Sequence, residues 1–244
     1  MTPESWAYLG EARGRVKVGA DRDARLDVHP TAVDDLSGLA ALSPDDLQGI
    51  SFRRTALTDE GLRHVRSLSG LVGLDLAGTK VTDPGLEVLR GLPALRALSL
   101  AETAVTARGM IHLASLAALE YLDLSGTAVD DDGLVHLARL PALRLLDLSE
   151  TRVGTDGLRA LAAVRTLERL VLNDTRLDDA GMETVEQLPS LRFLDVASTR
   201  ITDAGLRRAS SLRSLVRLDA WNTEVTEACV AEVGRALPQC IIAS

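Results

Sequence analysis

Three sets of residues in this 244-residue chain have the types and spacing to do chemistry, and each recurs at 24 residues or twice that. The acidic set is Asp27, Asp75, Asp123, Asp147, Asp195 and Asp219, with Ser51, Ser99 and Val171 at the intervening positions. At strand spacing such carboxylates repel one another, raise each other's pKa and attract a basic partner; the alternative is a solvated, uncommitted face. The second set flanks the first. Tyr121, Leu145, Arg169, Phe193 and Arg217 lie two residues before it, and Ser125, Ser149, Asn173 and Trp221 two residues after. Exposed aromatics beside arginines have the composition of interface hot spots. The competing reading packs Phe193 and Trp221 under a C-terminal cap, but Tyr121 and Leu145 lie too far from that end to share it. The third set is His64, His112 and His136. Helices pack about 8–10 Å apart, too far for these imidazoles to converge on one ion, and no cysteine or carboxylate completes a ligand set. No metal or cofactor is expected.

Catalytic machinery is equally absent. The sequence has no glycine-rich phosphate loop, G-x-S-x-G elbow or zinc motif. Cys229 falls in a packed column and is no nucleophile. The expectation is a protein that is not an enzyme.

The elements that position these residues follow from one period. A Leu-x-Leu core begins at Leu26, Ile50, Leu74, Leu98, Leu122, Leu146, Leu170, Leu194 and Leu218, giving nine uninterrupted units over residues 26–241. A strict period between 20 and 50 residues marks a solenoid. The first half of a unit, as in "LEYLDLSGTAV", alternates Leu122 and Leu124 with Asp123 and Ser125, the pattern of a half-buried strand. The second half, as in "DPGLEVLRGLPAL", sets Leu86, Leu89, Leu92 and Leu95 three apart, which predicts a short helix with one buried stripe. Asp83 before Pro84 reads as an N-cap with proline at the first helical position. A glycine column, Gly61 to Gly205, is expected to let each backbone approach the neighbouring unit. Stacked copies bury faces that one unit cannot, and helices, being wider than strands, curve the stack with its sheet inside.

Both ends depart from the pattern. Residues 1–25 read as an N-terminal cap, with "ESWAYLGEA" as a short helix and "RVKV" and "ADRDA" as a strand and turn. Residues 229–244 read as a C-terminal capping segment, one residue out of register at "ALPQCIIAS". Solenoids need such ends to hide open edges. The net charge of -8 argues against a nucleic-acid partner. Two cysteines are too few for a disulfide framework, and neither a signal-peptide run nor a membrane-length apolar run occurs. A cytoplasmic, reducing location is expected, and the Ala, Arg and Asp richness has a bacterial cast.

"LEYLDLSGTAV" resembles the leucine-rich repeat, L-x-x-L-x-L-x-x-N/C-x-L, with Thr127 at the Asn/Cys position. The period, the "T-D-x-G-L" helix start and the closing "LPQC" resemble its bacterial, ribonuclease-inhibitor-like branch. The resemblance implies an α/β fold, a right-handed leucine-rich-repeat solenoid or horseshoe with an inner parallel sheet and outer short helices. It further implies a scaffold for a protein partner, here one with a basic surface, binding no nucleic acid and no membrane. The alternatives are a structural or regulatory subunit that uses its convex helices or ends, and a catalytic accessory protein. One departure stands out: the usual asparagine ladder is Thr31, Thr55, Thr79, Thr103, Thr127, Thr151, Thr175, Thr199 and Thr223. These hydroxyls are expected to point inward and bridge adjacent turns. Arg152, Arg176 and Arg200, just past the ladder, are expected to form ion pairs between rungs with residues such as Glu150 and Asp174.

Overall fold

The computed structural model describes residues 24–29, 33 and 35–244. Ten parallel strands form one open sheet in chain order. They are β1 (Arg25–Asp27), β2 (Gly49–Ser51), β3 (Gly73–Asp75), β4 (Ala97–Ser99), β5 (Tyr121–Asp123), β6 (Leu145–Asp147), β7 (Arg169–Val171), β8 (Phe193–Asp195), β9 (Arg217–Asp219) and β10 (Ile241–Ala243). Every strand pairs with the next at the same offset, so Leu122 stands between Leu98 and Leu146. The chain is an α/β horseshoe.

Alternation explains which face is buried. The middle residue of each strand from Ile50 to Leu218 is at most 1% exposed and packs onto leucines of the helical halves. Each buried leucine contributes about 1.5–3 kcal/mol relative to an exposed one. The helical halves lie on the other side of this core. Some are α-helical, as at Asp131–Leu137, Thr155–Leu161 and Glu227–Ala236; others, Asp83–Gly91 and Ala107–Ser115 among them, are 3-10. The 3-10 form has three residues per turn, so leucines three apart, such as Leu86, Leu89 and Leu92, line up in one row against the core.

The threonine column faces inward, and from Thr55 to Thr199 it is at most 8% exposed. It does not bridge adjacent turns. Each hydroxyl donates to the carbonyl three residues earlier in its own rung, Thr127 to Leu124 and Thr151 to Leu148, both at 2.6 Å. The strand ends in a tight turn there, so the nearest carbonyl belongs to the same chain segment. The rungs are instead joined by backbone bonds continuing past the strands, such as Leu124 N–H to the Asp147 carbonyl and Gly126 N–H to Ser149. That second bond requires a left-handed residue in each turn. Gly126 (φ 66°) fits without strain, whereas Glu102 (φ 55°) and Glu150 (φ 56°) are held there by the same ladder.

Asp83 is not the N-cap. Thr82 caps this segment in an extended conformation, with Pro84 in the first turn, and Asp83 reaches across to the following rung. At the C-terminal end the chain is in register, because Ile242 pairs with Leu218. The final helical half carries one extra residue, as Leu237 follows Leu212 by 25, and the strand then recovers its place. "ESWAYLGEA", "RVKV" and Thr31 lie outside the described residues; Arg25 already belongs to β1.

Candidate partner-binding face

Strand alternation that buries Leu122 and Leu146 turns Asp123 and Asp147 to the concave side. Parallel pairing in a fixed register brings the side chains into rows across the sheet. Tyr121, Leu145, Arg169, Phe193, Arg217 and Ile241 form one row on adjacent strands. Asp123, Asp147, Val171, Asp195 and Asp219 form the next. Tyr121, Leu145 and Phe193 are half-buried, Arg169 and Arg217 are exposed, and Trp221 is 56% exposed. Trp221 is therefore not a cap residue.

The aspartates have two functions. One carboxylate oxygen closes the end of its own strand: Asp75, Asp123, Asp147 and Asp195 each accept at 3.0 Å from the N–H two residues on. Ser99 adds a hydroxyl to Asp123 at 3.0 Å, and Ser125 and Ser149 add theirs to Asp123 and Asp147. The rest of each carboxylate faces its neighbours. Burial above all, with a smaller push from other carboxylates of the row, raises Asp75, Asp147 and Asp195 above the ordinary carboxylate range despite these bonds. The Tyr121 phenol is driven the same way, first by burial and then by Asp123, Asp147 and Asp75.

Beyond β6 the face changes character. Val171, only 6% exposed, replaces a carboxylate and forms an apolar floor. Around it a cavity of about 330 Å³ is lined by Arg169, Phe193, Asp195, Arg217 and Asp219. The Arg169 guanidinium carbon lies 6.0 Å from the Phe193 ring centroid, within cation–π range. Arg217 donates to Asp219 at 2.8 Å. This pulls Asp219 away from the strand-closing bond its counterparts make, and its Oδ1 is buried without a partner.

Among the described residues Arg152, Arg176 and Arg200 form no ion pairs; Arg200 donates to the Arg176 carbonyl at 2.9 Å. Pairs between rungs occur instead in the column just before the strands, where charge alternates: Arg96 with Glu120 at 3.0 Å and Arg144 with Glu168 at 2.6 Å. Glu150 and Asp174 are directed elsewhere by their left-handed backbones. Among the described residues no cluster of His, Cys, Asp and Glu is arranged to hold a metal ion, and no helix is long and apolar enough to cross a membrane. Cys229 is buried, its thiol raised by burial, with Sγ 3.5 Å from the Asp203 carbonyl.

Sequence reasoning missed a second acidic column, at the starts of the helical halves. Asp83 accepts from the backbone N–H of Thr106 at 2.7 Å and from its hydroxyl at 2.6 Å. Asp59 does the same with Thr82, Asp179 with Thr202 and Asp203 with Thr226. Asp179 also takes the Gly205 N–H at 3.0 Å. Four glycines of the column, Gly85, Gly109, Gly157 and Gly205, make room for aspartates at these positions: a Cβ on Gly109 would come within 2.5 Å of Asp83 Oδ1. The recurring Thr-Asp pair was the available signal. Ala107 interrupts the column, and Asp130 Oδ1 of the next rung is buried without a partner.

Comparison with known proteins agrees with this geometry. A family model described as Leucine Rich repeat matches residues 117–138, 140–162 and 187–208. No curated protein sequence matches the chain. Among solved structures, internalin C2 of Listeria monocytogenes is similar with a TM-score of 0.68 and 22% identity, covering 88% of this chain and 93% of that one. A leucine-rich-repeat protein of Leptospira interrogans has a TM-score of 0.51 and 17% identity, over 89% of this chain and 63% of its own. The plant peptide hormone receptor RGFR1, solved in complex with RGF2, has a TM-score of 0.54 and 15% identity over 92% of this chain. The chain spans 38% of that receptor chain's length. At these identities the likeness is one of fold.

Proposed function

We propose that this leucine-rich-repeat protein is a non-catalytic scaffold that binds a partner protein on its concave sheet. The contact set is Tyr121, Asp123, Leu145, Asp147, Arg169, Phe193, Asp195, Arg217, Asp219 and Trp221. One observation carries the reading: Tyr121, Leu145, Arg169 and Phe193 stand in register on adjacent strands, Arg169 exposed and the other three half-buried. Aromatics and arginine placed on a rigid sheet lose little entropy on docking. The receptor solved with RGF2 supports a binding role by analogy of fold alone. The 24-residue strand offset and the threonine in every described turn support the ribonuclease-inhibitor-like branch. Two unpaired thiols, Cys229 and Cys240, suit a reducing, cytoplasmic setting. The net charge of -8 disfavours a nucleic-acid partner.

A second reading has an observation of its own. Ile111 and Val135, 49% and 57% exposed, lie in one column of adjacent helical halves and form an apolar spot on the convex side. A subunit docked there would leave the arc free. An affinity pull-down separates the two. Wild type is compared with the Tyr121→Ala, Phe193→Ala, Trp221→Ala triple variant and with the Ile111→Ser, Val135→Ser double variant. Loss of the partner in the triple variant alone supports the concave reading. Loss in the double variant alone transfers the site to the convex side.

A further inference from the structure

The concave face passes from acidic to electrically balanced along its length. Strands β3 to β6 present Asp75, Asp123 and Asp147, and neither arginine nor lysine lies in the three rows they contribute. Strands β7 to β9 present two carboxylates and two arginines, with Val171 where a further carboxylate would stand. Arg217 is occupied by Asp219. Arg169 forms no ion pair among the described residues and lies over Phe193, beside the cavity. Tyr121, whose hydroxyl makes no hydrogen bond among the described residues, borders Asp123 and Asp147 in the acidic part. Half-buried Leu145 separates it from Arg169.

We propose that the partner segment is an extended, bipolar peptide that runs across the strands. It places a basic side chain beside Tyr121 between Asp123 and Asp147, an apolar residue on Leu145, and a carboxylate side chain on Arg169. The proposal rests on the concave reading and adds the chemistry and direction of the ligand. Two strand spacings separate Tyr121 from Arg169, about 10 Å. An extended polyproline-II-like segment covers that in about three residues and returns the third side chain to the same face. The basic group relieves the crowding of the half-buried carboxylates. The acidic group finds a guanidinium pre-oriented on an aromatic ring, its aliphatic stem lying over Val171. A uniformly basic peptide is repelled at Arg169, and a uniformly acidic one at Asp123 and Asp147, so the placement of Arg169 beyond the acidic rows fixes which end lies where.

The test is selection of a randomised 12-residue phage-displayed peptide library against the intact chain and, in parallel, against Arg169→Glu. Both are first matched in thermal midpoint; Arg169 is exposed, so the substitution does not disturb the core. Wild type is expected to enrich peptides with a basic and an acidic residue about three apart. Arg169→Glu is expected to enrich a basic residue at the acidic position, and to bind wild-type-selected peptides at least tenfold more weakly. No enrichment, or equal binding to Arg169→Glu, overturns the proposal. Enriched peptides that lack the charge pattern but lose binding to Tyr121→Ala, Phe193→Ala overturn the bipolar ligand and leave the concave site standing. Peptides that lose no binding to that double variant overturn both.

Discussion

Two columns of aspartate run along this solenoid with the same period, and they are used in opposite ways. At the helix starts, Asp59, Asp83, Asp179 and Asp203 give both oxygens to the next rung, each clasping a threonine N–H and its hydroxyl. On the concave sheet, Asp75, Asp147 and Asp195 give one oxygen to the N–H two residues on in their own strand end. The second oxygen of Asp75 accepts from the Ser51 hydroxyl at 3.3 Å, while Asp147 and Asp195 each have another carboxylate next to them in the row. Hydrogen bonds hold Asp178 and Asp203 at the helix starts below the ordinary carboxylate range, the Thr155 hydroxyl leading for the first and the Thr226 N–H for the second. Burial raises the concave three. One column joins rungs together; the other closes its own strand ends.

The clearest way to break this contrast is Asp179→Ala. It removes the acceptor for the Thr202 N–H, the Thr202 hydroxyl and the Gly205 N–H at one junction. Hydrogen bonds to a charged group are worth about 1.5–3 kcal/mol, and stranded partly buried donors add to the loss. We expect a destabilisation of about 2–4 kcal/mol in urea unfolding, since solvent can rescue only some of these donors. The equivalent concave change, Asp195→Ala, removes one strand-end bond and one repulsive charge, and should cost less than about 1 kcal/mol. Equal losses would erase the distinction between the columns.

A smaller effect is expected between the columns, in the turn that separates strand from helix. Thr127→Val keeps the shape of a side chain that is 5% exposed but removes its bond to the Leu124 carbonyl. That carbonyl also accepts the Thr127 N–H at 3.3 Å, so it is weakened rather than orphaned. The loss should be about 1 kcal/mol, read as a shift of the urea midpoint with the slope unchanged. An unchanged midpoint would mean that the threonines are interchangeable packing.

These residues also show what a sequence reveals about such a fold. The period, the strands, the leucine core and the inward threonines are legible, because each depends on side-chain type at fixed spacing. The partner of a hydroxyl or carboxylate is not. Thr127 reads as a group that needs a bond, yet only the closeness of the turn decides between its own rung and the next. Asp83 reads as a cap by type and position, while its reach to Thr106 depends on how far one lap of chain advances along the stack. The extra residue before Leu237 looks like lost register, because sequence does not show that a longer helical half still returns Ile242 to Leu218. On the concave face, rows of residues were legible from the period alone. The loss of a carboxylate at Val171 is as well, but its cavity and the stacking of Arg169 on Phe193 are products of sheet geometry.

The smallest expected effect concerns pH, and it sharpens the comparison most. A carboxylate raised in the fold binds its proton more readily there than in the unfolded chain. Its unfavourable contribution is therefore full above the raised folded value and vanishes as pH falls below the unfolded value near 3.8. Asp178 and Asp203, held low, have the opposite sign: their stabilisation is present above the unfolded value and disappears as pH falls through the depressed folded one. Asp147→Asn removes one repulsive charge while leaving an oxygen that can accept from the Ser149 N–H and hydroxyl. At pH 7 the variant should match or exceed wild type by about 0.5 kcal/mol, a modest figure because solvent reaches part of the carboxylate. As pH falls towards 3, wild type recovers and the gap closes. Asp203→Asn should behave the other way, least stable relative to wild type at neutral pH and converging with it in acid. Thermal midpoints of the three proteins measured from pH 7 to pH 3 check both signs together. Curves that stay parallel would show that concave and helix-start carboxylates feel the same environment, and that the sheet face holds no stored repulsion for a basic partner to relieve.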